Sequence, residues 1–241
     1  MSTTSEIAKM IDHSLLHPTL TDAALKAGCE LADKYQVASV CVKPYAVPDA
    51  VTWLLDSEVA VGTVVGFPAG NSSIDIKVKE TEQALQEGAT EIDMVVNLGK
   101  VLSGQWNYVK DEMFSILEPV RKYKALLKVI FENDYLPEDD LKIRLCEICN
   151  ELKVDFAKTS TGFGFVKGED GKYGYKGATD HDLALMRKHC IPEIQIKAAG
   201  GVRTLEAALR VKALGVTRIG ASATATILDG AIQELGPYDN Y

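Results

Sequence analysis

The feature that most constrains this chain is an alternation, repeated about eight times, of short apolar runs rich in β-branched residues and longer amphipathic stretches. The candidate strands are MIDHSLL, VASVCVKP, VAVGTVVGF, TEIDMVVN, LLKVIFEN, DFAKTST, EIQIKAAG and TRIGAS. With Asp12, Cys41, Val65, Met94, Val129, Lys158, Lys197 and Ile219 as markers, successive separations are 29, 24, 29, 35, 29, 39 and 22 residues. Strand followed by helix at that spacing is the pattern of a parallel sheet. Eight such units in 241 residues predict an α/β protein, a single (β/α)8 TIM barrel. No Gly- or Pro-rich linker or shift in composition divides the chain, so residues 1–241 read as one domain. Among the helices, TDAALKAGCELADKY opens on a Thr-Asp cap, IKVKETEQALQEG ends on Gly88, and TLEAALRVKALG runs from Thr204 to Gly215. The one long interruption, Phe165 to Gly177 after the sixth strand, predicts a surface loop or short hairpin.

Charge and cysteine usage narrow the partners and the setting. The chain carries 26 basic and 34 acidic residues, a formal charge of −8, so no general attraction to nucleic acid or anionic lipid is expected. An anionic substrate therefore needs a local site. No apolar run approaches the roughly 18 residues of a membrane span, and the N-terminus, MSTTSE, is polar with an early acid. The five cysteines, Cys29, Cys41, Cys146, Cys149 and Cys190, are an odd number in a chain too long to need disulfide staples, which predicts a reducing, cytoplasmic compartment. Cys146 and Cys149 form a C-x-x-C, but within the helical pattern LKIRLCEICNEL and with no second pair to complete a zinc site. They read as buried helix cysteines.

Side chains alternate across a strand, so only one parity set of each strand faces a barrel's interior. The polar residues fall into consistent sets: Asp12 with Ser14, Ser39 with Cys41 and Lys43, Glu91 with Asp93 and Asn97, Phe156 with Lys158 and Ser160, and Gln195 with Lys197 and Ala199. Barrel lumens are normally filled with branched apolar side chains, and barrel enzymes place their chemistry at the C-terminal strand ends. The ionisable residues therefore mark either an active site or a buried structural ion-pair network. Lys128, early in LLKVIFEN, suits the structural role, and Lys43, before Pro44 at a strand exit, suits either.

Lys158 and Lys197 entering one confined lumen is costly unless the repulsion is used. Two ammonium groups about 6 Å apart at an effective dielectric near 20 repel by roughly 2.8 kcal/mol, or about two pKa units. Burial lowers a lysine pKa further, so one amine becomes a neutral nucleophile able to form a Schiff base with a carbonyl. The residues alone leave the choice between the two lysines open. Asp93 supplies a carboxylate that orients the second ammonium or passes protons through water. A metal competes poorly, because His13 and His17 straddle a strand end and Pro18, while His181 and His189 read as helix-surface residues. At the other end of the site, the seventh strand runs into AGGVRT, the eighth into GAS, and the sixth into Thr161-Gly162. Glycines before helix N-termini are the recurrent phosphate site of such barrels, the alternative being tight turns without a ligand.

The segments IDHSLL (Ile11 to Leu16), VCVKP (Val40 to Pro44), EIDMVVN (Glu91 to Asn97), KVIFE (Lys128 to Glu132), AKTSTGF (Ala157 to Phe163), IKAAGGVRT (Ile196 to Thr204) and RIGAS (Arg218 to Ser222) cover essentially the whole chain. Together they resemble the deoxyribose-phosphate aldolase family of class I aldolases, most specifically in AKTSTG followed by KAAGG at this spacing. The resemblance implies that Lys158 is the Schiff-base lysine, that Lys197 lowers its pKa, and that Asp93 and Lys197 relay protons through water. It also implies that Asp12 helps recognise a sugar hydroxyl, that Cys41 stands beside the substrate channel, and that Gly162, Gly200, Gly201, Gly220 and Ser222 hold a phosphate. The reaction it implies is reversible cleavage of 2-deoxy-D-ribose 5-phosphate to acetaldehyde and D-glyceraldehyde 3-phosphate in deoxyribose phosphate catabolism, without metal or cofactor. Dimers are common among relatives, which makes a homodimer the expected assembly. Rival readings are an aldolase for another phosphorylated sugar and a silent barrel that only binds one. Phe163 and Ala223 stand where some relatives carry lysine and serine, leaving Arg203 as the nearest conspicuous cation. Relatives carry a C-terminal tail tyrosine that visits the active site, and the resemblance leaves Tyr241 open between that role and a disordered end.

Overall fold

The computed structural model describes residues 2–168 and 170–238, so Tyr241 lies outside the described residues. The strands are β1 (Ile11–Leu15), β2 (Ser39–Val42), β3 (Ala60–Val65), β4 (Glu91–Val95), β5 (Leu126–Ile130), β6 (Phe156–Lys158), β7 (Val166–Lys167), β8 (Tyr173–Gly174), β9 (Gln195–Ala199) and β10 (Arg218–Ala221). Eight of them form a closed barrel in the order β1-β10-β9-β6-β5-β4-β3-β2, with β7 and β8 apart as a two-stranded antiparallel hairpin. Every neighbouring pair in the barrel is parallel, and β1 closes it by pairing with both β2 and β10. Each sequence-predicted strand is present, and the interruption at Phe165 to Gly177 is the hairpin.

The helices are α1 (Thr4–Ala8), α2 (Asp22–Lys34), α3 (Val47–Trp53), α4 (Ile74–Gln86), α5 (Leu98–Leu102), α6 (Trp106–Lys122), α7 (Asp139–Leu152), α8 (Asp180–His189), α9 (Leu205–Ala213) and α10 (Thr224–Leu235). The expected caps form: Thr21 Oγ1 accepts from Ala24 N at 3.3 Å to start α2, and Thr204 Oγ1 accepts from Ala207 N at 3.2 Å to start α9. Each satisfies a backbone donor that the first helical turn leaves without a partner. The first and last helices meet, with Thr4 Oγ1 donating to Gly236 O at 2.6 Å. Among the described residues, no helix is long and apolar enough to cross a membrane.

Strand parity separates two compartments. Val40, Val42, Ile92, Met94, Leu127, Val129, Ile196 and Ala198 point outward, are fully buried against the helices and belong to the apolar core. Burying each of the larger ones contributes about 2 kcal/mol, so the driving force for folding resides in the layer between strands and helices. The alternate residues, Asp12, Ser39, Cys41, Glu91, Asp93, Lys128, Lys158 and Lys197, are buried on the inner face. Cys146 and Cys149 are buried on α7 as expected, and all five cysteines are free.

The exit of β4, the strand that carries Asp93, is fastened by a second buried charge pair. Lys77 Nζ on α4 lies 2.7 Å from Glu112 Oε1 on α6 and also donates to Gly70 O at 2.8 Å and Val95 O at 2.7 Å. Glu112 Oε2 accepts from Asn97 N at 2.9 Å. Both side chains are shielded from solvent, and burial pushes the Lys77 pKa down and the Glu112 pKa up. Removing one partner of such a pair strands the other charge. Lys77→Met is therefore expected to lower stability by about 3 to 5 kcal/mol in urea unfolding, and Lys77→Met/Glu112→Leu to regain part of the loss. A double variant no more stable than the single one would place the loss in the backbone acceptors instead of the stranded carboxylate.

Candidate active site

The inner face of the barrel holds a continuous charge network built by seven side chains from six strands. Asp93 on β4 is the hub. Its Oδ2 accepts from Lys158 Nζ of β6 at 2.6 Å and from Lys197 Nζ of β9 at 2.7 Å, while Lys128 Nζ of β5 approaches its Oδ1 at 3.1 Å as an ion pair without hydrogen-bond alignment. Register places these groups together: Asp93 is paired with Lys128 across β4 and β5, and Lys158 with Lys197 across β6 and β9. Asp12 on β1 is the second anion, with Oδ2 2.5 Å from Lys197 and 2.9 Å from Lys128, and Oδ1 2.5 Å from Arg218 and 2.7 Å from Ser39 Oγ. Glu91 completes the base, 2.5 Å from Lys128 and 3.1 Å from Arg218.

Four cations, Lys128, Lys158, Lys197 and Arg218, thus face three carboxylates. The pKa shifts divide the lysines. Burial pulls Lys158 below its ordinary value, and the neighbouring Lys197 ammonium adds to this against the attraction of Asp93. Burial also disfavours charge on Lys197 and Lys128, but the carboxylates around them prevail and hold both above the ordinary value. Asp12 and Asp93 resist the upward push of burial because ammonium groups surround them, and both stay well below the usual carboxylate range. Lys158 is the lumen lysine whose charge the network favours least.

Above this network a cavity of about 240 Å³ opens at the C-terminal mouth of the barrel, bordered by Lys158, Lys197, Cys41 and the loops after β6, β9 and β10. One wall is apolar: Leu16, Cys41 and Val64 pack with Phe67 and Phe163, whose rings meet edge to face at 5.5 Å. The rim also includes Gly162, Gly200, Gly201, Gly220 and Ser222. Gly200 has φ +86°, and the Gly177 Cα stands only 2.9 Å from where its Cβ would be, so both conformation and space demand glycine there. Gly220 is a matter of space alone, because a Cβ there would stand 3.3 Å from Ala199 Cβ, with Lys197 Cε next at 3.4 Å. Beyond Ser222, α10 begins at an N-cap, Ala223, that offers no side-chain hydrogen bond, which leaves donors of the first turn available to an anion.

The structure brings the sequence-predicted residues to one end of the barrel, with differences of detail. Asp93 does not border the cavity; it is fully buried beneath the two lysines it joins. Asp12 borders the cavity floor, yet both of its oxygens are engaged by Lys128, Lys197, Arg218 and Ser39. Cys41 lines the cavity as a thiol, since burial, with Asp93 nearby, pushes its pKa to about 11. Lys43 belongs to the loop architecture, donating to His17 O and Leu20 O. Lys128, expected toward the far face, is instead in register with Asp93 and contacts both Asp12 and Asp93. His13 faces the helix layer, with Nδ1 2.8 Å from Thr224 Oγ1, and burial lowers its pKa to about 4. Sequence reasoning missed Arg218 as a member of the base and Glu132 as a support. The Glu132 carboxylate accepts from the backbone N–H and hydroxyl of Thr161, and Thr161 Oγ1 accepts from Phe163 N at 2.9 Å, which shapes the loop after β6. Strand parity signals Arg218; nothing in the sequence signals Glu132, which acts from a left-handed turn with φ 57°.

Among the described residues, one trio brings metal-type ligand atoms together, Asp139, His181 and Asp182, outside the barrel mouth. A cation already occupies the trio: Lys142 Nζ is 2.6 Å from Asp182 and 3.2 Å from Asp139.

The comparisons with known proteins converge on one family. The sequence profile of the DeoC/LacD family aldolases matches residues 6–225. A deoxyribose-phosphate aldolase from Rhodopirellula baltica is 50% identical over 231 residues, covering 96% of this chain and 91% of that protein. A crystal structure of a putative deoxyribose-phosphate aldolase from Coccidioides immitis superposes with a TM-score of 0.86 at 33% identity, over 95% of this chain and 86% of that one. A tetrameric deoxyribose phosphate aldolase from Aeropyrum pernix superposes with a TM-score of 0.84 at 25% identity, over 97% of this chain and 93% of that one. An aldolase profile across nearly the whole barrel, and relatives curated as aldolases at up to half identity, establish this chain as an enzyme of the lyase class and a member of the DeoC/LacD family of aldolases.

Proposed function

We propose that this chain is a class I aldolase that reversibly cleaves 2-deoxy-D-ribose 5-phosphate into acetaldehyde and D-glyceraldehyde 3-phosphate through a Schiff base on Lys158. The observation that carries the reading is the shared oxygen of Asp93, which joins Lys158 and Lys197 at the floor of a cavity rimmed by glycine loops and an open helix N-terminus. Charge balance supports Lys158 as the nucleophile. With Lys158 as the free amine, three cations face three carboxylates, and protonating it would add an unbalanced charge to a buried cluster.

The Lys158 amine adds to the C1 carbonyl of the open-chain sugar, and loss of water gives a protonated imine. As a base takes the proton of the C3 hydroxyl, the C2–C3 electron pair moves into the imine, releasing D-glyceraldehyde 3-phosphate and leaving an enamine. Protonation at C2 and hydrolysis then free acetaldehyde and restore the amine. Lys197, held as an ammonium, and the Asp93 carboxylate it shares with Lys158 support a relay of these protons through water. Asp12, with its oxygens engaged, acts through Lys197 by holding that ammonium in place. The phosphate sits on the backbone N–H groups around Gly162, Gly200, Gly201 and Gly220, with Ser222 and Arg203 at the rim. The apolar wall of Leu16, Cys41 and Phe163 suits the methyl end of the acetaldehyde unit. We read residues 1–241 as one aldolase domain acting in sugar-phosphate degradation, and its five free cysteines support a reducing, cytoplasmic setting.

Borohydride reduction in the presence of acetaldehyde, followed by peptide mass mapping, is expected to mark Lys158, and Lys158→Ala to lower kcat by at least about 10³-fold. A mark on another lysine, or turnover surviving in the variant, would overturn the mechanism. In Lys197→Met the positive neighbour is gone, so Lys158 holds its proton more tightly. The acid limb of kcat/KM is then expected to move to higher pH by about one to two units, with kcat reduced. An acid limb that stays put or moves down would exclude Lys197 as the group that lowers the Lys158 pKa.

A further inference from the structure

The connection from β6 to α8 carries the hairpin, which lays one aromatic side chain across the glycine loops. Phe165 stacks on Tyr173 within the hairpin, with ring centroids 4.4 Å apart and planes 10° from parallel. Both ends are fastened to the barrel. At the start Phe165 N donates to Tyr135 Oη at 2.8 Å. At the finish Lys176 N and Gly177 N donate to the Asp134 carboxylate at 2.5 and 3.1 Å, and Ala178 N donates to Gly200 O at 3.1 Å. Tyr175 immediately precedes this clamp, so its backbone is held in place. Its Cβ lies 3.3 Å from the position a Cβ would take at Gly164, and its Cε2 lies 3.2 Å from that position at Gly200. The side chain thereby spans the loop after β6 and the loop after β9. It borders the 240 Å³ cavity on one side and a cavity of about 1060 Å³ beside the hairpin on the other, and so forms part of the partition between them.

We propose that Tyr175 is a specificity-determining residue, whose ring covers the phosphate end of the bound sugar and so favours phosphorylated over unphosphorylated substrates. The proposal rests on the assignment of the glycine loops to phosphate. Hydrogen bonds from backbone N–H groups to an anion strengthen as water is excluded, and a ring bridging the two loops excludes water from the face that would otherwise open into the larger cavity. The ring packs on the glycine loops, so its effect falls on binding of the phosphorylated end.

The test compares Tyr175→Ala and Tyr175→Phe with the parent in steady-state cleavage of 2-deoxyribose 5-phosphate and of 2-deoxyribose. The alanine variant is expected to raise KM for the phosphate ester about five- to tenfold with kcat little changed, and to leave kcat/KM for 2-deoxyribose unaltered. The phenylalanine variant is expected to match the parent. Equal losses on both substrates, an unchanged KM, or a phenylalanine variant as impaired as the alanine one would overturn the covering role. A parent without turnover on either sugar would refute the aldolase assignment itself. Calorimetric binding of inorganic phosphate then tests the cover separately: weaker binding by the alanine variant sustains it, and equal binding overturns it.

Discussion

The site depends on a charge imbalance that the barrel cannot relieve to solvent. Four basic side chains and three carboxylates are enclosed by strands that present their apolar faces outward, and a buried charge without a partner costs several kcal/mol. In the proposed mechanism the cluster reaches balance by leaving one lysine neutral. Lys158 takes that role because burial, a cationic neighbour and a single shared carboxylate oxygen act on it, whereas Lys128 and Lys197 each touch two or more carboxylates. The nucleophilicity proposed for Lys158 is thus a property of the whole ring of strands, not of one residue and its nearest neighbour.

Much of this was legible in the chain because strand parity is a rigid rule. Once Ile92 and Met94 are assigned to the helix layer, Glu91 and Asp93 must face inward, and the same reasoning brings Lys158 and Lys197 together from positions 39 residues apart. Pairwise register was less legible. Lys128 read as a residue of the far face, yet it is level with Asp93 because the stagger between β4 and β5 sets depth in the lumen, and sequence alone carries no record of stagger. Parity alone turns Arg218 inward, but its place in the base depends on reach, since from the first position of a short strand its long side chain extends to Asp12 and Glu91. Contacts made through turns, such as Glu132 with Thr161 or Tyr175 with Gly200, leave no periodic trace at all.

The two compartments divide labour. Stability rests on the apolar layer outside the strands and on fastenings such as Lys77 with Glu112, and the inner face is thereby free to hold polar groups that would be unfavourable in an ordinary core. In the proposed function the loops after β6, β9 and β10 add recognition, and Val202 of the loop after β9 also packs into that layer. Glycine enters where backbone must approach backbone, as at Gly200 against Gly177, or where a neighbouring strand packs close, as at Gly220 beside Ala199.

The contact between Thr4 and Gly236 has a consequence for how the barrel is cut into a linear chain. Because the first and last helices touch through that hydrogen bond, a short linker would join them without crossing the mouth of the lumen. The barrel then becomes a ring in sequence as well as in space, and its ends are a matter of choice. The tip of the hairpin around Gly171, clear of the clamped residues at either end, is the place where such a circular permutant would be reopened.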